Sequence, residues 1–212
     1  MIKLFGVGGH AKVVVNALNS AGESIEAVYD DNKATWGVDF CGYSVVGGIS
    51  KDLCGSAVAA IGDNRVRNRL NRDMHAITWF TVIHPTAIIA DDVEIGVGSV
   101  IMAGVVIQSG TKIGSHCIVN TGACIDHDCR IGHATHIGPN CSLSGGCRVE
   151  EGAFLGVGST MIPFKKVGAW SIVGAGAVVT TDIPSHCTAV GVPAKPIKFQ
   201  DSNDENGQTR AD

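Results

Sequence analysis

From Pro85 to Thr180 the chain divides without remainder into sixteen blocks of six residues, opening "PTAIIA DDVEIG VGSVIM AGVVIQ" and closing "AGAVVT". The fifth place of every block is aliphatic, from Ile89 and Ile95 through Ile125, Ile131 and Ile137 to Val173 and Val179. The third place is small or β-branched in every block but one, where Lys165 stands. An α-helix, at 3.6 residues per turn, cannot keep a period of six on one face. Strict six-residue periodicity predicts a parallel β-helix instead. Each block makes one flat side and a corner, three blocks close a triangular coil, and residues eighteen apart stack about 4.8 Å from each other. Sixteen blocks amount to about five coils and a rod about 25 Å long. Fifth-place side chains fill the axis, each contributing roughly 1.5–3 kcal/mol on burial. Small third places fit beside them, and glycines, of which the chain has 28, accept the corner dihedrals. Cys117, Cys129, Cys141 and Cys147 hold third places and read as small buried hydrophobes.

The residues before Pro85 follow another rule. "IKLFGV" reads as a strand, "GVGGHA" as a glycine turn and "AKVVVNALNSAG" as a helix; strands "IEAVYDD" and "AVAAIG" and a helix "NRVRNRLNRDM" follow. This alternation predicts a small doubly wound α/β unit of Rossmann type. Gly6, Gly8 and Ala11 match G-x-G-x-x-A, and Asp30 and Asp31 close the second strand, where such folds place a ribose-binding acid. The turn could serve chain reversal alone. Read functionally, it puts phosphates on helix-start N–H groups and ribose or base on Asp30 and Asp31. Only half of a dinucleotide fold fits here, so a single nucleotide carrying a sugar suits it better than a redox dinucleotide. The expected divisions are 1–84 for this unit, 85–198 for the rod and 199–212 for a polar tail, expected to be disordered.

A net charge of −4 and the lack of any Lys/Arg run speak against nucleic-acid binding. The start lacks signal-peptide anatomy, and no stretch approaches the roughly 20 apolar residues of a membrane span. Eight cysteines without a C-x-x-C read as reduced thiols of a cytoplasmic protein, with no structural zinc.

The segment "CIDHDCRIGHATHIG" places His127, His133 and His136 within fifteen residues, with Asp126 and Asp128 flanking the first. His127 and His133 hold the first place of consecutive blocks and so occupy successive corners. Ser109 and Gly145 neighbour His127 in its column, and Gly145-Gly146 predicts a gap beside His127 and Asp128. Asn120, one block earlier, is a candidate to orient a substrate. His133, His116, His75, His84 and His186 read as ordinary exposed histidines.

Together these features resemble the hexapeptide-repeat acyltransferases, many of which end in "GVPAK", here Gly191–Lys195. A short Rossmann-like domain opening with "GxGGH" before a left-handed parallel β-helix is similar to one branch, the nucleotide-sugar N-acetyltransferases. These act on UDP-4-amino-4,6-dideoxy sugars, including the type that makes UDP-N,N′-diacetylbacillosamine for surface glycans or protein glycosylation. The resemblance spans residues 1–198. It implies acetyl-CoA as co-substrate, no metal, and a homotrimer with active sites at subunit interfaces. In "IDHD" it makes His127 the base and Asp128 its partner. It assigns the sugar nucleotide to Gly8, Gly9, His10, Asp30, Asp31 and Gly62, and acetyl-CoA to His136, Gly145, Val157, Gly174 and Ala175. GDP-perosamine N-acetyltransferases and sialic-acid O-acetyltransferases are near relatives and supply the alternative acceptors.

The chemistry agrees with that assignment. An amine must be neutral to attack a thioester, and a histidine titrating near neutrality can take its proton. Asp128 would fix the tautomer, and His136 or a backbone N–H near Gly145 would meet the oxyanion. Two readings from other classes stand beside it. One is a zinc lyase on the same rod, which requires an H-x4-H pair where this chain has H-x5-H and H-x2-H. The other is a non-catalytic nucleotide-sugar scaffold.

Overall fold

The computed structural model describes residues 1–199 of the 212. The expected disordered tail lies outside the described residues except for Phe199, which instead closes a strand, Lys195–Phe199. The N-terminal unit runs β1 (Ile2–Phe5), α1 (Gly9–Ser20), β2 (Ile25–Tyr29), β3 (Asp39–Phe40), β4 (Tyr43–Gly47), β5 (Gly55–Ala59), α2 (Asn64–Asp73) and β6 (Ile77–Trp79). Its sheet has the order β3-β4-β2-β1-β5-β6. All neighbours are parallel except the β3–β4 hairpin. Central β1 is apolar because both of its faces are covered: Leu4 and Phe5 are fully buried. Helix α1 lays Val14, Val15 and Leu18 on the sheet. It begins at Gly9, two residues ahead of the expected start, with Gly8 as an extended N-cap that offers no side-chain acceptor. Its first N–H groups therefore face the glycine loop without a capping side chain.

The rod is a parallel β-helix whose three faces carry two-residue strands stacked in register. The first face runs Val100–Ile101, Ile118–Val119, His136–Ile137, Phe154–Leu155 and Ile172–Val173. The second includes Val106–Ile107, Cys124–Ile125, Ser142–Leu143 and Thr160–Met161. The third includes Lys112–Ile113, Arg130–Ile131, Arg148–Val149 and Lys166–Val167. The ladder already takes in Val82–Ile83, paired with Val100–Ile101, so the coil starts ahead of the division at 84/85.

Fifth-place side chains occupy the axis: Ile101, Val119, Ile125, Ile137, Leu155, Met161 and Val173 are all fully buried. Ile89 and Ile95, at the open first coil, are only half-buried. Third places do more than fill space. Ser99 Oγ donates to the Gly114 carbonyl at 2.8 Å and Thr111 Oγ1 to that of Asp126 at 2.8 Å. Cys117 and Cys141 thiols reach the Gly132 and Gly156 carbonyls at 3.0 and 3.1 Å. A small residue with a hydrogen-bond donor thus satisfies a corner carbonyl fifteen positions on, which explains why Ser, Thr and Cys alternate there.

From Gly98 on, second places adopt left-handed backbone, at eight glycines and at His116, Asp128, Ala134, Asn140, Phe164 and Trp170, these six with φ between 53° and 61°. That conformation costs an L-residue roughly 1–2 kcal/mol. Helix α2 docks across the corner between the third and first faces. Asn64 donates to the Gly152 and Ala153 carbonyls, and Asn68 to Glu151. His116, at this corner, departs from expectation. It is 1% exposed, with its ring edge-on to Trp79 at 4.6 Å, because the N-terminal unit covers that corner.

Candidate functional site

The expected residues fall into three places around the rod. Gly8, Gly9, His10, Asp30, Asp31 and Gly62 come together on one cleft of about 530 Å³, between the glycine loop and α2. The two carboxylates are not equivalent. Asp30 spends both oxygens on backbone, taking the Val7 N–H at 2.9 Å and the Asn32 N–H at 2.8 Å. It pins the glycine loop to β2 while still lining the cleft. Asp31 takes only the Ile49 N–H, through one oxygen, at 2.8 Å. Its other oxygen is the acceptor left for a ligand. Arg69 also lines the cleft and brings a cation to it. The sequence reading assigned it no role. The available signal was an arginine one helical turn from Val66 and next to Leu70, both of which also line the cleft.

His136 and Asn120 stand beside this cleft, on the first face and at its corner. Asn120 Oδ1 accepts the Thr121 N–H at 2.8 Å, so its amide N–H₂ points to His136 Nε2, 3.0 Å away. His136 is thereby the neutral, Nδ1-protonated tautomer, and among the described residues its Nδ1 has no hydrogen-bond partner. Its ring lies 6.1 Å from that of His10 and 5.0 Å from Phe154. Burial, then Arg67 and His10, depress His136 to about 3. Burial and then Arg67 bring His10 to about 4, and His116 is held at about 4 by the same two causes and His133.

Three imidazoles kept neutral have a stability consequence. Their folded pKa values lie below the ordinary 6.5, so on acidification the unfolded chain takes up protons that the folded chain refuses. The melting temperature will fall as the pH drops from about 6.5 toward 4, and His116→Phe will remove part of that slope. Thermal unfolding followed across this range checks it; a flat profile contradicts it.

His127 and Asp128 lie elsewhere, at the corner between the second and third faces. His127 Nδ1 and Asp128 Oδ2 are 2.8 Å apart, and both side chains are more than half exposed. Asp128 sits in left-handed backbone, φ 60°. Asp128 by its hydrogen bond, and Asp126 by its charge, raise the His127 pKa above its ordinary value. With Nδ1–H held by a carboxylate, the Nε2 lone pair is free to take a proton.

The expected gap beside Gly145 is not open space. A Cβ on Gly145 would lie 2.5 Å from His127 Nε2, so the imidazole itself occupies the room that the glycine leaves. One place on, a Cβ at Gly110 would meet Asp128 Oδ1 at 2.6 Å, and one at Gly146 would meet the Phe164 ring at 2.5 Å. Glycines here seat the His127–Asp128 pair and an aromatic plate, Phe164, that is 77% exposed. Phe164 also escaped the sequence reading; its mark is bulk at a second place where glycine is common. Gly145→Ala follows directly. The glycine has no left-handed φ to forbid alanine, yet the methyl displaces the ring. Turnover is expected to fall about 10–100-fold with the melting temperature almost unchanged. Val157, Gly174 and Ala175 form the third group, at the corner between the first and second faces, where Val157 is 51% exposed.

Comparison with known proteins places both halves. Residues 1–74 match the family model for the PglD N-terminal domain. PerB of Caulobacter crescentus, solved with CoA and GDP-perosamine, is 43% identical with a TM-score of 0.86; the alignment covers 93% of this chain and 97% of that one. The acetyltransferase domain of PglB from Neisseria gonorrhoeae, solved with acetyl coenzyme A, is 34% identical with a TM-score of 0.84, covering 92% and 98%. Curated relatives match over short stretches: an uncharacterised mimivirus protein is 31% identical over 101 residues, 46% of this chain and 20% of its own. The aligned stretch thus spans about a fifth of that relative's length.

Proposed function

The chain belongs to the hexapeptide-repeat nucleotide-sugar acetyltransferases, and on that premise we propose that it carries an acetyl group from acetyl-CoA to the 4-amino group of a nucleotide-linked 4-amino-4,6-dideoxy sugar. The observation that carries the reading is the His127–Asp128 pair at 2.8 Å, seated on Gly145 with Nε2 unengaged. In this scheme the cleft at the glycine loop takes the nucleotide. The helix-start N–H groups and Arg69 face the diphosphate, and Asp31 takes ribose or base. Nε2 of His127 removes a proton as the neutral amine attacks the thioester, and the pair forms a C–N bond through a tetrahedral intermediate. Collapse expels CoA thiolate, which takes up the proton, and leaves an amide. The Nδ1–H of His136 is a neutral donor for a sugar oxygen or the developing oxyanion.

Within one chain, His127 and the nucleotide cleft lie on different sides of the rod. The scheme therefore requires a second copy, whose His127 corner faces the Asn120–His136 wall. This supports a homotrimer with acetyl-CoA between rods, against Val157, Gly174 and Ala175. The family resemblance favours a UDP-linked acceptor of the bacillosamine type, and the reduced thiols a cytoplasmic setting. The 43% identity to the Caulobacter protein, solved with GDP-perosamine, favours a GDP-linked acceptor as the second reading. Thiol release from acetyl-CoA, measured with UDP- and GDP-linked 4-amino sugars, CMP-sialic acid and free sialic acid, tests both. One of the nucleotide-linked amines should be N-acetylated. Turnover with sialic acid alone would defeat the reading.

A further inference from the structure

Arg67 has no part in the reaction just described, yet it is the largest fully buried side chain, at 1% exposure. It projects from α2 into the junction between the N-terminal unit and the coil. Nε donates to the His116 carbonyl at 3.0 Å. Nη1 donates to the Ile61 and Gly62 carbonyls at 3.0 and 2.9 Å. Nη2 donates to Asn64 Oδ1 at 2.7 Å and to the Ala134 and Thr135 carbonyls, both at 3.1 Å. Among the described residues no carboxylate forms an ion pair with it. Burial lowers its pKa to about 10, with Asp63 among the charges that oppose the drop.

A buried cation satisfied by carbonyls is a poor stabilising device, since an apolar side chain of the same volume commonly does as well or better. What a guanidinium adds is direction: a rigid planar fork of five donors that fixes the relative positions of its acceptors. Those acceptors belong to two walls. Ile61 and Gly62 line the nucleotide cleft. Ala134 and Thr135 immediately precede His136, whose ring contacts His10 and Asn120. The helix itself is divided in the same way. Asn64, Arg67 and Asn68 face the coil, while Val66, Arg69 and Leu70 face the cleft.

We propose that Arg67 is a positioning residue that locks the nucleotide cleft to the His136–Asn120 wall, and thereby sets where the bound sugar's amine stands relative to the coil. The inference rests on the transfer reaction proposed above for its kinetic consequence, but not for the structural coupling. Arg67→Lys keeps the charge and loses the fork; Arg67→Met keeps most of the volume and loses both. In each, kcat should fall about 10-fold or more, because a misplacement near 1 Å is costly to transfer. The KM for nucleotide sugar and the affinity for UDP or GDP should stay within about 3-fold, since Gly8, Gly9, Asp31 and Arg69 are untouched. A role in stability alone would instead lower the melting temperature and leave kcat at parental values, and that result overturns the proposal.

Hydrogen exchange supplies a second readout that does not need turnover. Saturating UDP or GDP should slow exchange at the Thr135 and His136 amides in the parent and leave it unchanged in Arg67→Lys. If the parent acetylates none of the sugars, the proposed reaction fails while this coupling is still measured. If coupling survives in Arg67→Lys, the positioning role fails while the reaction stands. Should neither arginine variant fold, Asn64→Ala, which removes one acceptor of Nη2 and two bonds to the coil, should show a weaker loss of both kcat and coupling. Parental kcat and coupling in that variant would equally overturn the proposal.

Discussion

Replacing His127 by alanine will lower kcat by about 10²–10⁴-fold, the usual yield of a positioned general base, while nucleotide-sugar binding and the melting temperature stay near parental values. The expectation comes from three features of the corner. Nδ1 is committed to Asp128, so the basic lone pair is on Nε2. The ring is more than half exposed, so its loss opens no enclosed cavity. The nucleotide cleft is built from other residues on another side of the rod, so ground-state binding does not depend on it. Steady-state kinetics with acetyl-CoA and the preferred sugar, together with nucleotide titration, separate these effects. A variant within about threefold of the parent would show that the amine loses its proton by another route. Because the His127 pKa is raised, the parent's acid limb lies above that of a free imidazole, and rate is gained as pH rises through it.

Ile137→Ala should unfold the enzyme early. Ile137 is fully buried on the axis, between Val119 and Leu155 in the same ladder. Truncating such a side chain costs about 2–5 kcal/mol, because the lost transfer energy adds to that of an unfilled cavity. In a chain of this size that corresponds to a drop of roughly 4–20 °C in melting temperature. The two-residue strands above and below are tied at both corners and cannot collapse into the space. A fall of less than about 2 °C would show that the axis is loosely packed, contrary to the burial seen throughout it.

The rod was legible because its determinant is local and repeated: one aliphatic place in six, buried on the axis wherever the coil is closed. The Rossmann unit was legible in its strands and helices, less so in its edges. The β3–β4 hairpin escaped because its turn, Cys41-Gly42, reaches left-handed φ values of 53° and 87° without the Asn-Gly or Asp-Gly that usually announces such a turn. His127 and Asp128 were singled out by the family resemblance carried by "IDHD", and spacing placed His127 at a corner. What spacing does not carry is which neighbour fills a given void. Gly145 reads as a gap in one dimension and turns out to be the seat of the His127 ring.

Interdomain roles were hidden for a related reason. His116 occupies a second place like any corner residue, and only the docking of α2 and Trp79 buries it. Arg67 and Arg69 are two arginines in one polar helix. Two residues of separation turns them to opposite sides, one into the junction and one into the cleft. Asp30 stands at its expected position, and its tie to the Val7 and Asn32 N–H groups is what the sequence did not announce.

The stacking of residues eighteen apart limits how such an enzyme can change length. Deleting one whole circuit downstream of the His127 corner would shorten the rod and return every remaining side chain to its own angular sector. Deleting a single block would swing everything after it through a third of a revolution, carrying Val157, Gly174 and Ala175 to another side of the prism. Viable length variants are therefore quantised in full revolutions, and drift in size should proceed by steps of one circuit or by loops extruded at the corners.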